Sequence, residues 1–217
     1  MGVKTERLAP SAGRKSAYVA RNRLALIEAT QDVLASIGPE ATIDEVAEHA
    51  GVSVSTIYKH FETKESLFTT ALVSAMTDWQ EWALTKAEIT SDPLEQLIIP
   101  MRLLLRIKQT HPKYAKMIAN NFSNISAQTP ALSSGLLSHV KKLHRAGILK
   151  IDHVELRVRN FSACMLEGTG YQLINPVAKV AEADISVEIA LGMLGISDTK
   201  ANKLAHAPLP RLDVVQN

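Results

Sequence analysis

Apolar residues recur at helical spacing along most of the chain, which predicts an all-α protein. Leu26, Ile27, Thr30, Val33, Leu34 and Ile37 form one stripe of a first helix, expected over Ser16 to Ile37 and closed by Gly38-Pro39. Ile43, Val46, Ala47 and Ala50 carry the period of a short second helix that stops at Gly51. Ile57 and Phe61 give the inward face of a third. A long fourth helix is expected from about Thr63 to Ile89, with Trp79 and Trp82 packed in the core. Asp92, Pro93 and Glu95 are the cap and first turn of a fifth, which should reach Thr110 with a kink or break at Pro100. Further helices are expected over Pro112–Ser123, Thr129–Ala146, His153–Asn175 and Ala178–Leu194. Pro10-Ser11-Ala12-Gly13 reads as a helix breaker, so residues 1–15 are expected to be a disordered basic arm. Residues 198–217, with Pro208 and Pro210, are expected to form an irregular tail.

The stretch Thr42 to Phe61 carries the most specific signal. Thr42 followed by Glu45 is a capping-box pattern. Gly51 takes the left-handed conformation cheaply, Val52 should tuck under the turn, and Ser53 caps the next helix. Two helices that cross steeply through so short a turn need a small residue at the crossing, here Ala47. They also need a bulky anchor on the second helix, here Ile57. That is a helix-turn-helix, predicted within a DNA-binding domain over residues 16–64. The outer face of its second helix would show Ser53, Ser55, Thr56, Lys59 and His60, with no carboxylate before Glu62. Such a face can enter a major groove.

The run Gly51-Val52-Ser53-x-x-Thr56-x-Tyr58-x-x-Phe61-x-x-Lys64-x-x-Leu67 closely resembles the DNA-binding domain of the tetracycline-repressor (TetR) family. The likeness covers roughly residues 20 to 70. Ser55, Thr56 and Lys59 are the candidates for base edges, because lysine reaches guanine acceptors and a hydroxyl takes several partners. Thr42, Ser53, Tyr58, His60 and Lys64 are candidate phosphate contacts, Tyr58 and His60 being carried over from the family's Thr-x-Tyr-x-His pattern. Arg21 and Arg23 could also reach phosphates. The chain departs from the family at Val54-Ser55, where a basic or polar residue and a glycine are common; Val54 could instead touch a thymine methyl.

Charge changes the picture by placement and not by amount. The chain carries 24 Lys or Arg against 22 Asp or Glu, so bulk charge argues for no partner. Residues 1–23 nevertheless hold six Lys or Arg against Glu6, which suits an arm that follows the DNA backbone. Between Gln96 and Ile151 there is no Asp or Glu, but there are nine Lys or Arg. These make either a solvated basic face or, in part, a pocket for an anionic ligand.

The rest of the chain, residues 65–197, is expected to be a helical ligand-binding and dimerisation domain. The resemblance implies a homodimer joined through the last two long helices. Two recognition helices would then meet a palindromic operator, and a small-molecule effector bound in the body would control them. Candidate pocket residues are Met101, Tyr114, Met117, Phe122, Phe161, Met165 and Tyr171, each of which could equally be plain core. Small residues such as Gly168, Thr169 and Gly170 suit close helix packing or the dimer interface.

No catalytic constellation stands out. The seven histidines show no i, i+4 metal pair, Cys164 is the lone cysteine, and there is no Cys-x-x-Cys or Gly-x-Ser-x-Gly. No metal or cofactor is therefore expected, nor an enzyme. A cytoplasmic location is expected from the single cysteine, the basic and polar N-terminus and the lack of a membrane-length apolar run. Two other readings stay open: a DNA-binding protein with no ligand control, or an all-α small-molecule-binding protein that contains a hairpin.

Overall fold

The computed structural model describes residues 12–125 and 133–212. The first helix, α1 (Ala12–Ser36), buries Leu26, Ile27, Val33 and Leu34. It starts inside the stretch expected to be disordered. Proline disfavours helix for the residue before it, not for those after it, and the ~1 kcal/mol cost of Gly13 does not outweigh a long helix. The remainder of the expected arm, residues 1–11, lies outside the described residues. Ile37 was expected on the buried stripe, but it sits in the turn after Ser36 and is exposed.

The hairpin follows as α2 (Ile43–His49) and α3 (Val54–Tyr58), and then α4 (Lys64–Ala87) leads into the body. α5 (Pro93–Leu104) runs through Pro100 without ending there. Its break comes later, where Arg106 leaves helical geometry at φ −111°, ψ 13°. Leu105 enters the core there and Arg106 reaches Asp184, so inward-facing partners decide the break and the proline does not. α6 (Ile107–Thr110) and α7 (Pro112–Asn120) follow, then a helical turn over 122–125. α8 (Ser134–Arg145) ends before Gly147; the expected start at Thr129-Pro130 lies outside the described residues.

α9 (Val154–Ile174) and α10 (Val180–Met193) pack along each other. Gly168 permits this, since a Cβ there would stand 3.2 Å from the Cβ of Ser186. A Cβ at Gly170 would lie 2.7 Å from the Phe122 ring. Both glycines therefore serve packing within the chain. The tail is not irregular throughout: α11 (Asp198–His206) buries Ala201, Leu204 and Ala205, which lie at i, i+3 and i+4. Its apolar stripe is only three residues wide, which is why the pattern is faint in the sequence.

Two cores hold the molecule. One joins α1–α4 to α7, with Val46, Ile57 and Leu67 beside Tyr114, Met117 and Ile118. The other joins α5, α8, α9, α10 and α11. The DNA-reading head thus shares its core with a helix of the body. Asn120 donates to the carbonyl of Ala35 at 3.0 Å and Asn121 to that of Leu34 at 3.3 Å, which fixes α7 to the end of α1. Lys113 of α7 pairs with Asp32 of α1 at 2.6 Å, and His49 of α2 contacts the same carboxylate at 3.3 Å.

Candidate nucleic-acid interface and body cavity

α2 begins with a closed capping box. The Thr42 backbone N–H donates to Glu45 Oε2 at 2.7 Å, its hydroxyl donates to the same oxygen at 2.9 Å, and the Glu45 N–H returns to Thr42 Oγ1 at 3.2 Å. The bonds from Thr42, with the nearby charge of Lys64, hold the Glu45 carboxyl below its ordinary range. Thr42 was expected to contact a phosphate. Its hydroxyl hydrogen is already given to Glu45, so it can donate to a phosphate only by opening the box.

The turn is carried by Gly51 at φ +65°, and the Val52 N–H closes onto the Ala47 carbonyl at 2.9 Å. Val52 is half-buried and not fully covered. Ala47, Ile57 and Phe61 are buried at the crossing. Ser53 caps α3 by accepting from the Thr56 N–H at 3.3 Å, and its hydroxyl lies 2.9 Å from both the Ser55 and Thr56 hydroxyls. Ser53 thus organises the two residues expected at base edges. α3 itself is only five residues long, with Lys59 as its C-cap.

Ser53, Ser55, Tyr58 and Lys59 are exposed, while Val54, Thr56 and His60 are half-buried beside them. Arg21 is exposed on α1. Arg23 lays its guanidinium over the Phe61 ring, 4.7 Å from the centroid, and Lys64 places its ammonium 5.0 Å from the Phe68 centroid. Both cations are therefore held at the rim of the hairpin by aromatic faces. The structure brings the expected DNA residues onto one end of the molecule.

In the body, α4, α5, α7, α8 and α9 enclose a cavity of about 420 Å³. Its wall includes Met76, Trp79, Gln80 and Leu84 of α4, and Gln96, Leu97, Pro100 and Met101 of α5. α8 adds Leu136, His139 and Lys142, and α9 adds Ser162, Met165, Leu166 and Thr169. Of the seven residues expected to line a pocket, only Met101 and Met165 do so. Met117 and Phe161 are fully buried in the two cores. Tyr114 stacks on His111 with ring centroids 5.7 Å apart, and Phe122 packs against Gly170. Tyr171 is exposed, its hydroxyl 3.4 Å from Glu182. Helical spacing marks these five as inward-facing, but does not say whether a neighbour fills the space they face.

Trp79, read as core, is buried and also lines the cavity; its Nε1 has no hydrogen-bond partner. His139 Nε2 and Ser162 Oγ are likewise buried and unpartnered, and both residues line the same cavity. No local sequence signal marks these three.

The basic stretch from 96 to 151 does not form an anion pocket. Arg102 and Arg106 are buried against Asp184 at 3.0 and 2.6 Å, Lys141 pairs with Glu155, and Lys142 alone of the nine reaches the cavity wall. Cys164 is half-buried and burial pushes its thiol pKa up, which suits packing and not nucleophilic attack. Among the described residues no three His, Cys, Asp or Glu side chains gather as a metal site. Nor, among them, is any helix long and apolar enough to cross a membrane.

A helix-turn-helix head on a hollow helical body is the architecture of a DNA-binding regulator. Residues 26–71 match the sequence model of the bacterial regulatory proteins of the tetR family. Among curated proteins none matches the chain. Solved structures do. RolR in complex with resorcinol aligns with a TM-score of 0.72 at 18% identity, over 91% of this chain and 100% of that one. The fatty acid degradation regulator FadR of Bacillus halodurans aligns with a TM-score of 0.61 at 17% identity, over 80% of this chain and 94% of that one. At these identities what is shared is the fold. The chain joins a TetR-family DNA-binding domain to a body with the fold of the family's regulators.

Proposed function

We propose that the protein is a homodimeric, sequence-specific repressor that leaves a palindromic operator when a small molecule enters the body cavity, and that it works in the cytoplasm. The observation that carries this reading is α4. One helix of 24 residues places Lys64 beside the hairpin and Met76, Trp79, Gln80 and Leu84 in the cavity wall. It spans about 36 Å as a rigid rod. A ligand that moves its far end must also move the head, and DNA and ligand then oppose each other through one coupling free energy. The link from α7 to α1 through Asn120 and Asn121 offers a second connection, since Ile118 of α7 lies in the same wall. That a body of this fold holds resorcinol in RolR supports a small organic effector.

Dimerisation is supported by an unpaired apolar face. Ile185 and Ile189 of α10 are 49% and 62% exposed, and Leu156, Tyr171 and Ile174 of α9 are exposed as well. A symmetric partner covering this face would make a four-helix interface. The two heads would then occupy major grooves about one helical turn apart. No cofactor is needed for any of this.

Selection from random duplex DNA at two salt concentrations tests the reading. It should return a palindrome with half-sites near one helical turn; salt-sensitive binding without sequence preference would sink it. Against the recovered operator, Lys59→Ala should cost about 1–3 kcal/mol and relax preference at one base pair. A uniform loss over all sequences would make Lys59 a phosphate contact instead.

A further inference from the structure

Three hydrogen-bonding atoms are stranded in one otherwise apolar cavity. Trp79 Nε1 comes from α4, His139 Nε2 from α8 and Ser162 Oγ from α9, and none has a partner among the described residues. Trp79 is 2% exposed and Ser162 8%. Buried polar groups are ordinarily paired, so three in one cavity are an invitation to a ligand or to water. The indole N–H can only donate, while the hydroxyl can donate and accept. The occupant must therefore offer an acceptor to Trp79 and a second polar contact to Ser162 or His139.

The rest of the wall narrows the chemistry. Met76, Met101 and Met165 stand around the Trp79 indole in the wall, and thioethers pack favourably against aromatic rings. Lys142 is the one charged residue among the described lining residues, and no carboxylate is present to hold a cation. About 420 Å³ suits a compact molecule. A saturated acyl chain would fill the apolar part but leave the three polar atoms unpaired, losing affinity of about tenfold for each.

We propose that the cavity binds a compact, uncharged, hydroxylated aromatic molecule, whose ring lies among the methionines and whose oxygens pair with Trp79, Ser162 and His139. This rests on the reading of the cavity as the effector site. Only the ligand's chemical class is added here.

Calorimetric titration of the full-length protein with phenol, catechol, toluene and dodecanoate tests it. Phenol and catechol should bind, and toluene, the same shape without the oxygen, should bind about tenfold more weakly. Trp79→Phe and Ser162→Ala should each weaken phenol several-fold and leave toluene unchanged. Circular dichroism melts check that both variants fold, and either one alone carries the test. The class is overturned if toluene matches phenol, if dodecanoate binds tightest, if no probe binds, or if both variants weaken phenol and toluene alike. Gel shifts on the selected operator separate the two readings. Phenols that bind but leave the operator occupied uphold the class and remove the effector role. Release by dodecanoate without binding of phenols does the reverse.

Discussion

His111 illustrates what a single side chain contributes at the joint between α6 and α7. Its ring meets Trp82 edge-on at 4.5 Å and stacks on Tyr114 at 5.7 Å, and its Nδ1 lies 3.1 Å from the Thr110 hydroxyl. Burial lowers its pKa below the ordinary 6.5, because the imidazolium loses hydration that nothing here replaces. The unfolded chain thus takes up this proton more readily than the fold. Stability is fully present above 6.5 and falls as the pH drops below it. Melting curves between pH 7.5 and 5 should show a smaller acid-side loss for His111→Phe than for the parent protein. Gly51 makes a backbone contribution instead. Nothing lies within 4 Å of the Cβ it lacks, so only its φ of +65° opposes a side chain. Gly51→Ala should cost about 1–2 kcal/mol in denaturant unfolding, and Gly51→Asn less. This glycine was legible in the sequence because a turn between two apolar helices demands it. His111 was legible only as part of a His-Pro boundary, since its stacking partners are set by packing.

Among the elements, α5 and α10 are joined by charge inside a core. Arg102 and Arg106, one turn apart, share Asp184, and Arg102 also donates to the Ala207 carbonyl at 2.5 Å. One carboxylate faces two guanidiniums, so its removal leaves two buried positive charges. Asp184→Asn should lower stability by about 3–5 kcal/mol in denaturant unfolding; a loss below about 1 kcal/mol would mean that water already reaches the pair. In the sequence these arginines belong to a basic run, and their partner lies 78 and 82 residues away. The same long reach explains why the end of α5 was misplaced. Pro100 is a visible local breaker, yet the inward pull on Leu105 and Arg106 decides where the helix gives way. α11 was missed for the opposite reason: its three buried residues acquire meaning only from the core that receives them.

At the scale of the molecule, the face left by α9 and α10 should govern assembly. Ile185 and Ile189 lie one helical turn apart and are exposed together. Ile189→Lys should turn a dimer into a monomer in analytical ultracentrifugation and weaken operator binding with it. An unchanged sedimentation coefficient would move the interface elsewhere. The shared core of α1–α4 and α7 also means that head and body form one packed unit. Truncation at residue 64 would uncover Ile57 and Phe61 and strip α1 of the helix that covers it.

The helix-turn-helix was written in the sequence itself. Its cap, its glycine, its small crossing residue and its anchor fall within 20 consecutive positions, and each acts through local geometry. Such signals survive without knowledge of the rest of the fold. The cavity is different. Its wall is drawn from residues as far apart as Met76 and Thr169. Met165 lines it while Phe161, one turn away on the same helix, is sealed in the second core. Periodicity tells which side of a helix turns inward. Only the tertiary arrangement decides whether that side meets another side chain or an empty space with three polar atoms waiting in it.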